Sequence, residues 1–452
     1  MIVMKFGGTS VADGAAMRRV IDIVLRHADL RPLVVCSACA GVTNKLIEVA
    51  DTALTADDAA VAELTDGLRA RHLDAAAELL RDADASLQQA TAAQIDELCA
   101  ELKRLAEGVV LLRECTPRSR AAILSFGERL STLIVAAGFQ AAGRECRLLD
   151  ARELMITDSV YLSAAADMSE TRKRCKKTIQ PLLEGGSLVV TQGFIGADAK
   201  KVTTINGRGG GDLSAAIFGA ALGVAEIQIW TDVSGVYTTD PRLVPNARTI
   251  ARITFDEVGE LAYFGARVLH PDTIRPAVAD AIPVRVRNTF DADHEGTLLV
   301  PNALPDVDGI RAVAIRKRMI LLSFAMRSAN RTSRFLAGVY NALVNLGIEA
   351  LAAQGSEHHY VLCLEDADAA ASLARDFREY AEVDITEAAV LCAVGPRVAG
   401  ADGAAVVARL AQVLQPFDAL FVQHHVGNIS ILAAVPAEHG DEALRAAHDL
   451  IS

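Results

Sequence analysis

With 452 residues the chain exceeds one compact core and is expected to form two or three domains; 51% apolar residues give it ample material to bury. Its net charge of −12, with basic residues scattered, excludes a nucleic-acid surface and a basic membrane-binding helix. Small molecules and copies of the chain itself remain as partners. No apolar run reads as long enough to cross a bilayer, and the N-terminus lacks the charged head of a signal peptide, so a soluble, cytoplasmic protein is expected.

The first apolar run, residues 1–6, reads as a buried strand and leads into Lys5-Phe6-Gly7-Gly8-Thr9-Ser10, with a helix expected from near Val11. Two glycines, two hydroxyls, a helix N-terminus and a lysine are the parts of a phosphate cradle. The lysine precedes the glycines, unlike the Walker pattern, and the same residues also suit a tight strand-to-helix turn ending in an N-cap. Further strands are expected at 32–37, 147–149, 187–192 and 226–231, and helices at 12–27, 44–54, 118–142, 168–183 and 213–222. This alternation predicts a largely parallel α/β sheet whose ligands sit at the carboxyl ends of its strands. Residues 56–112, rich in Ala, Leu, Glu and Arg, interrupt the rhythm and read as a helical insertion. A second glycine cluster, Asn206-Gly207-Arg208-Gly209-Gly210-Gly211-Asp212, opens the helix at 213; a guanidinium among glycines suits a two-point grip on carboxylate or phosphate.

The proline-bearing segment from Val300 to Pro305 marks a boundary near 300. Beyond it two α+β units repeat a pattern of strands (315–324, 360–364; then 388–394, 419–422, 429–435) and helices (333–346, 368–378; then 404–414, 441–450). The eight cysteines are dispersed and expected to be reduced, and neither Cys36-x-x-Cys39 nor the adjacent histidine pairs at 358 and 424 complete a metal site.

Seven motifs occur in order: Lys5 to Ser10, Ser125-Phe126-Gly127-Glu128-Arg129, Gln192-Gly193-Phe194, Gly207-Arg208-Gly209-Gly210 with Asp212, Trp230-Thr231-Asp232-Val233, Tyr237-Thr238-Thr239-Asp240-Pro241-Arg242, and Phe264-Gly265-Ala266-Arg267-Val268-Leu269-His270-Pro271. The series resembles that of aspartate kinases. The resemblance implies an amino-acid-kinase three-layer sandwich with a mainly parallel sheet over residues 1–300, followed by tandem ferredoxin-like ACT domains at 310–385 and 386–452. It implies ATP and L-aspartate as substrates, Mg²⁺ bridging the phosphates, and a homodimer. Lys5 with the Gly7 and Gly8 backbone would neutralise the transferring phosphoryl group, and Asp212 would orient Lys5; an ionised acceptor carboxylate needs no strong base. Glu128 would take the substrate ammonium, Arg208 the α-carboxylate, Ser37 and Thr43 polar contacts, and Phe194 would be a wall. Ser10, Thr231, Asp232, Tyr237, Arg242 and Arg267 would serve the nucleotide.

The chain departs from that family pattern at several positions. Gly211 replaces a serine that would touch substrate, an expected loss of about 0.5–1.5 kcal/mol. Ile205 and Asn206 replace threonine and leucine, and Arg267 stands where lysine is common. In the first ACT unit Ser356 and Glu357 remain as effector candidates, while Leu351 replaces an aspartate and Arg334 a small residue. Lysine inhibition is therefore expected to be weak or absent. A kinase for a different carboxylate and a catalytically silent sensor subunit stand as alternative readings.

Overall fold

The computed structural model describes residues 1–266, 269, 271–301, 309–327, 332–399, 403–424 and 428–451, with backbone only at 332, 397 and 399. Arg267, placed beside the nucleotide by the motif series, lies outside the described residues. Two compact units emerge: Met1–Val236 with Thr249–Phe255 and Leu269–Asn302, and Tyr237–Arg248 with Asp256–Val268 and Ala303–Ser452. The chain thus passes between units near 300 as the prolines suggest. Two segments expected within the first region, Tyr237–Arg248 and Asp256–Val268, instead pack in the second, a long-range choice that local composition does not encode.

The first unit contains β1 (Ile2–Phe6), β2 (Pro32–Cys36), β3 (Cys146–Leu149), β4 (Ile156–Thr157), β5 (Leu188–Gln192), β6 (Ile195–Asp198), β7 (Thr203–Ile205), β8 (Ile227–Thr231), β9 (Arg252–Thr254), β10 (Val284–Asn288) and β11 (Thr297–Val300). Eight of these form one sheet in the order β3-β5-β2-β1-β8-β10-β11-β9. Every pairing is parallel except β10 with β11. All five residues of β1, β2 and β5 are buried, which explains their unbroken apolar runs. The remaining strands, β4, β6 and β7, form a small separate sheet.

The helix Phe126–Ala141 lies against β2, β3 and β5, and the helix Gly210–Leu222 against β1, β2 and β8. Pro117–Ala141 is long and apolar enough to cross a bilayer, contrary to the sequence reading, but its apolar window is 83% buried inside the fold. The insertion forms two helices, Asp58–Leu79 and Ala85–Leu112, packed on each other. The first helix begins at Gly14, capped by Asp13, rather than near Val11; a 3₁₀ turn, Gly8–Val11, comes first. Gly14 is fixed there because a Cβ would lie 2.7 Å from the Ala75 carbonyl oxygen.

In the second unit, β12 (Ala312–Met326), β13 (Ala352–Gly355), β14 (His359–Leu364), β15 (Ala381–Val394), β16 (Phe421–His424) and β17 (Ser430–Pro436) form one sheet in the order β13-β14-β12-β15-β17-β16, antiparallel throughout. Two cores sit on it. Ile320, Leu322 and Phe324 pack with Val339, Leu343 and Ala381, whereas Val313, Leu391 and Ala393 pack with Leu410, Ile431 and Leu444. Strands β12 and β15 therefore each serve both cores, with a register break between Arg316 and Met319. The expected division into 310–385 and 386–452 cuts through β15, because the start of β12 belongs to the second core and the start of β15 to the first.

Candidate active site

Parallel order brings the ends of β1, β2, β5 and β8 to one edge of the sheet, and each is followed by a segment singled out in the sequence: Gly7-Gly8, Ser37, Gly193-Phe194 and Asp232. These turns are tied to neighbouring strands through backbone bonds. The Gly7 N–H donates to the Trp230 carbonyl at 3.1 Å, Ser37 N–H to Phe6 at 3.0 Å, and Gly193 N–H to Cys36 at 2.9 Å. A Cβ on Gly8 would approach the Ala38 carbonyl oxygen at 3.0 Å, so the glycine lets two turns meet.

Lys5, the one charged residue of β1, is buried and its Nζ lies 2.6 Å from Asp212 Oδ1. Asp212 occupies the first turn of Gly210–Leu222, whose N-cap Gly209 (φ 69°) and predecessor Gly207 (φ 75°) use left-handed backbone. Arg208 between them is exposed. At Gly211 a Cβ would lie 2.8 Å from Ser37 Oγ and 3.1 Å from Lys5 Cε. A side chain here would crowd Ser37 and Lys5, which occupy the place where it would stand.

Glu128, in the first turn of Phe126–Ala141, is 3% exposed and its Oε2 has no hydrogen-bond partner. Burial pushes its carboxyl up to about 8, with the backbone N–H groups of Ala38 and Glu128 and the charge of Lys5 pulling the other way. An isolated buried carboxylate is costly, so this group fits a cationic ligand far better than an empty pocket. Ser37 and Thr43 are half-buried, Thr43 in the first turn of the helix Val42–Leu54. Ser131, not anticipated from the sequence, donates from Oγ to the Ser37 carbonyl at 2.7 Å and fixes the turn after β2.

Other expectations fare differently. Ser10 is fully buried, and its hydroxyl lies 2.7 Å from that of Thr289, so it packs beneath the turn instead of facing a phosphate. Ser10 lies inside the 3₁₀ turn and caps neither it nor the first helix, whose N-caps are Gly7 and Asp13, while Lys5, Gly7 and Gly8 remain at the sheet edge. Thr231 is half-buried and donates to exposed Asp232 at 3.2 Å. Tyr237 and Arg242 lie in the second unit; Arg242 is exposed and paired with Asp240 at 2.6 Å. Ser356 and Glu357 are exposed at the turn joining β13 and β14; Leu351 donates its backbone N–H to the Cys363 carbonyl, and Arg334 is exposed. Among the described residues no group of three His, Cys, Asp or Glu side chains is placed to hold a metal ion.

Fold and site define an α/β enzyme that handles anions at the carboxyl edge of a parallel sheet, with a lysine–aspartate pair at its centre. A model of the amino acid kinase family matches residues 1–288. The lysine-sensitive aspartokinase 3 of Escherichia coli is 34% identical, spanning 99% of this chain and 98% of its own. Among solved structures, E. coli aspartokinase III in complex with lysine and aspartate (T-state) superposes with a TM-score of 0.83 at 32% identity over all of both chains. The same enzyme in complex with aspartate and ADP (R-state) gives 0.78 at 32% identity over 100% of this chain and 99% of that one. The chain therefore belongs to the amino acid kinase family and, within it, to the aspartokinases.

Proposed function

We propose that the chain transfers the γ-phosphoryl group of ATP to the side-chain carboxylate of L-aspartate, giving 4-phospho-L-aspartate for the synthesis of aspartate-derived amino acids. The observation that carries the acceptor assignment is Glu128: a buried carboxylate oxygen without a partner, in the electrostatic reach of Lys5. An α-ammonium supplies the missing counter-charge, and Arg208 grips the α-carboxylate. The side-chain carboxylate is then free to attack.

In this reading Lys5 and the Gly7 and Gly8 backbone neutralise charge on the transferring oxygens while Asp212 holds Lys5 in place; alignment and electrostatics supply the rate. Ser37 and Thr43 orient the acceptor, and Phe194 closes its side. Thr231 and Asp232 serve the nucleotide. Mg²⁺ would be carried by the phosphates, neutralising their charge, with the exposed Asp232 as the acidic side chain of the nucleotide segment. A homodimer joined through the second unit is part of the same reading. So is weak or absent inhibition by lysine, since aliphatic Leu351 offers no charge to an ammonium; half-inhibition at submillimolar lysine would refute this.

The test is ATP- and Mg²⁺-dependent ADP release with L-aspartate, L-glutamate and L-homoserine in turn, trapping acyl phosphate as hydroxamate. Hydroxamate with aspartate alone is the expected result. Turnover only with another acceptor would reassign the substrate, and no turnover at all would restore the sensor reading.

A further inference from the structure

Phe194 is the residue of the acceptor edge whose backbone is hardest to explain. It has φ 65°, a left-handed conformation that a bulky L-residue rarely adopts, and the Ile195 N–H donates across it to the Gly193 carbonyl at 2.7 Å. A hydrogen bond from residue i+2 to residue i around a positive φ is the rarer and more strained form of γ-turn. Such strain persists only where the surroundings over-determine it.

The surroundings are specific. Ser214 Oγ accepts from the Phe194 N–H at 2.8 Å and from Asn206 Nδ2 at 3.0 Å, and donates to the Gly210 carbonyl at 2.7 Å. One donor and two acceptor positions are all a serine hydroxyl possesses, and all three are used. The Phe194 carbonyl in turn accepts from the Asn206 backbone N–H at 2.8 Å. Asn206 is 6% exposed, its Nδ2 also reaches Met155 Sδ at 3.4 Å, and its Oδ1 is buried without a partner. The turn is pressed against the glycine loop: a Cβ on Gly210 would lie 2.7 Å from the Phe194 ring, and one on Gly193 would lie 3.1 Å from Gly211 Cα.

We propose that Ser214 and Asn206 are positioning residues for the acceptor: they hold Phe194 in its strained turn and lock that turn to the first helical turn carrying Asp212, the partner of Lys5. The proposal rests on the reading of Phe194 as a wall of the aspartate site. Asn206, which stands where the family pattern has leucine, is in this arrangement the second arm of a clamp. Its cost, an unsatisfied buried carbonyl oxygen, is accepted for the sake of the turn.

The experiment is initial-rate kinetics of the full chain, varying aspartate and ATP separately, for Ser214→Ala, Asn206→Leu, Phe194→Gly and the double variant Phe194→Gly with Ser214→Ala. Glycine adopts positive φ without strain, so it makes the clamp redundant. Ser214→Ala is expected to raise the aspartate KM about ten-fold and leave the ATP KM within about two-fold, with Asn206→Leu shifting it less. The double variant should be no worse than Phe194→Gly alone. Equal rises in both KM values, multiplying effects in the double variant, or a lowered melting temperature with both KM values unchanged would overturn the proposal. An unchanged aspartate KM in Phe194→Gly would instead overturn the placement of Phe194 in the acceptor site. If Ser214→Ala does not fold, Asn206→Leu keeps the test intact, since a change in aspartate KM alone supports the clamp and no change refutes it.

Discussion

Two glutamates are buried to nearly the same degree in different units of this protein and have opposite surroundings. Glu257, 1% exposed, lies in the second unit with Arg311 Nη1 3.1 Å from its carboxylate. Glu128, 3% exposed in the first, has an oxygen that no protein group meets. Burial alone therefore does not mark a functional carboxylate. What distinguishes Glu128 is an unfilled counter-charge, which the fold tolerates by holding the group protonated below about pH 8.

The comparison can be broken by removing each carboxylate. Glu257→Ala strips a buried guanidinium of this carboxylate and is expected to cost about 3–5 kcal/mol of stability, read as a fall in denaturation midpoint. Glu128→Gln should act in the opposite sense on stability, raising the midpoint at pH 8 and above, while lowering kcat/KM for aspartate about a hundred-fold or more. If both variants lose stability and neither loses aspartate selectively, the distinction fails. Smaller is the effect of Gly211→Ser, which must displace Ser37 or Lys5: a loss of about 1–3 kcal/mol in catalytic efficiency or stability is expected, where the family pattern alone would predict a gain. The pH dependence of stability is comparable in size to the first of these effects. Glu128 binds its proton more tightly folded than unfolded, so ligand-free stability falls as pH rises from about 4.5 to about 8 and then levels off, and that component of the slope is absent in Glu128→Gln. Aspartate, which pairs with the ionised form, should show a KM that declines over the same interval.

The sequence disclosed the long features for a plain reason. Strands β1, β2 and β5 are covered on both faces, so their composition is apolar throughout, and the helices between them carry a regular buried stripe. Strands β4, β6 and β7 escaped because two to four residues, several of them Thr, Gly or Asp, carry no period. Lys5, Glu128 and Asp212 were legible through motif order, and with them the pairing of Lys5 with Asp212 across 207 positions; the buried, partnerless oxygen of Glu128 was not. Ser10 was misjudged because a hydroxyl after two glycines looks the same whether it faces a phosphate or, as here, Thr289. Nothing in a phenylalanine foretells a left-handed backbone, so the turn at Phe194 was invisible.

The two long strands of the second unit have a consequence for anyone who would dissect it. Since β12 and β15 each run through both cores, neither half is a module: a cut at the repeat boundary would leave each fragment with a naked edge and half a hydrophobic layer. The unit is one piece in packing terms, and so unsuited to being inherited, exchanged or engineered in parts.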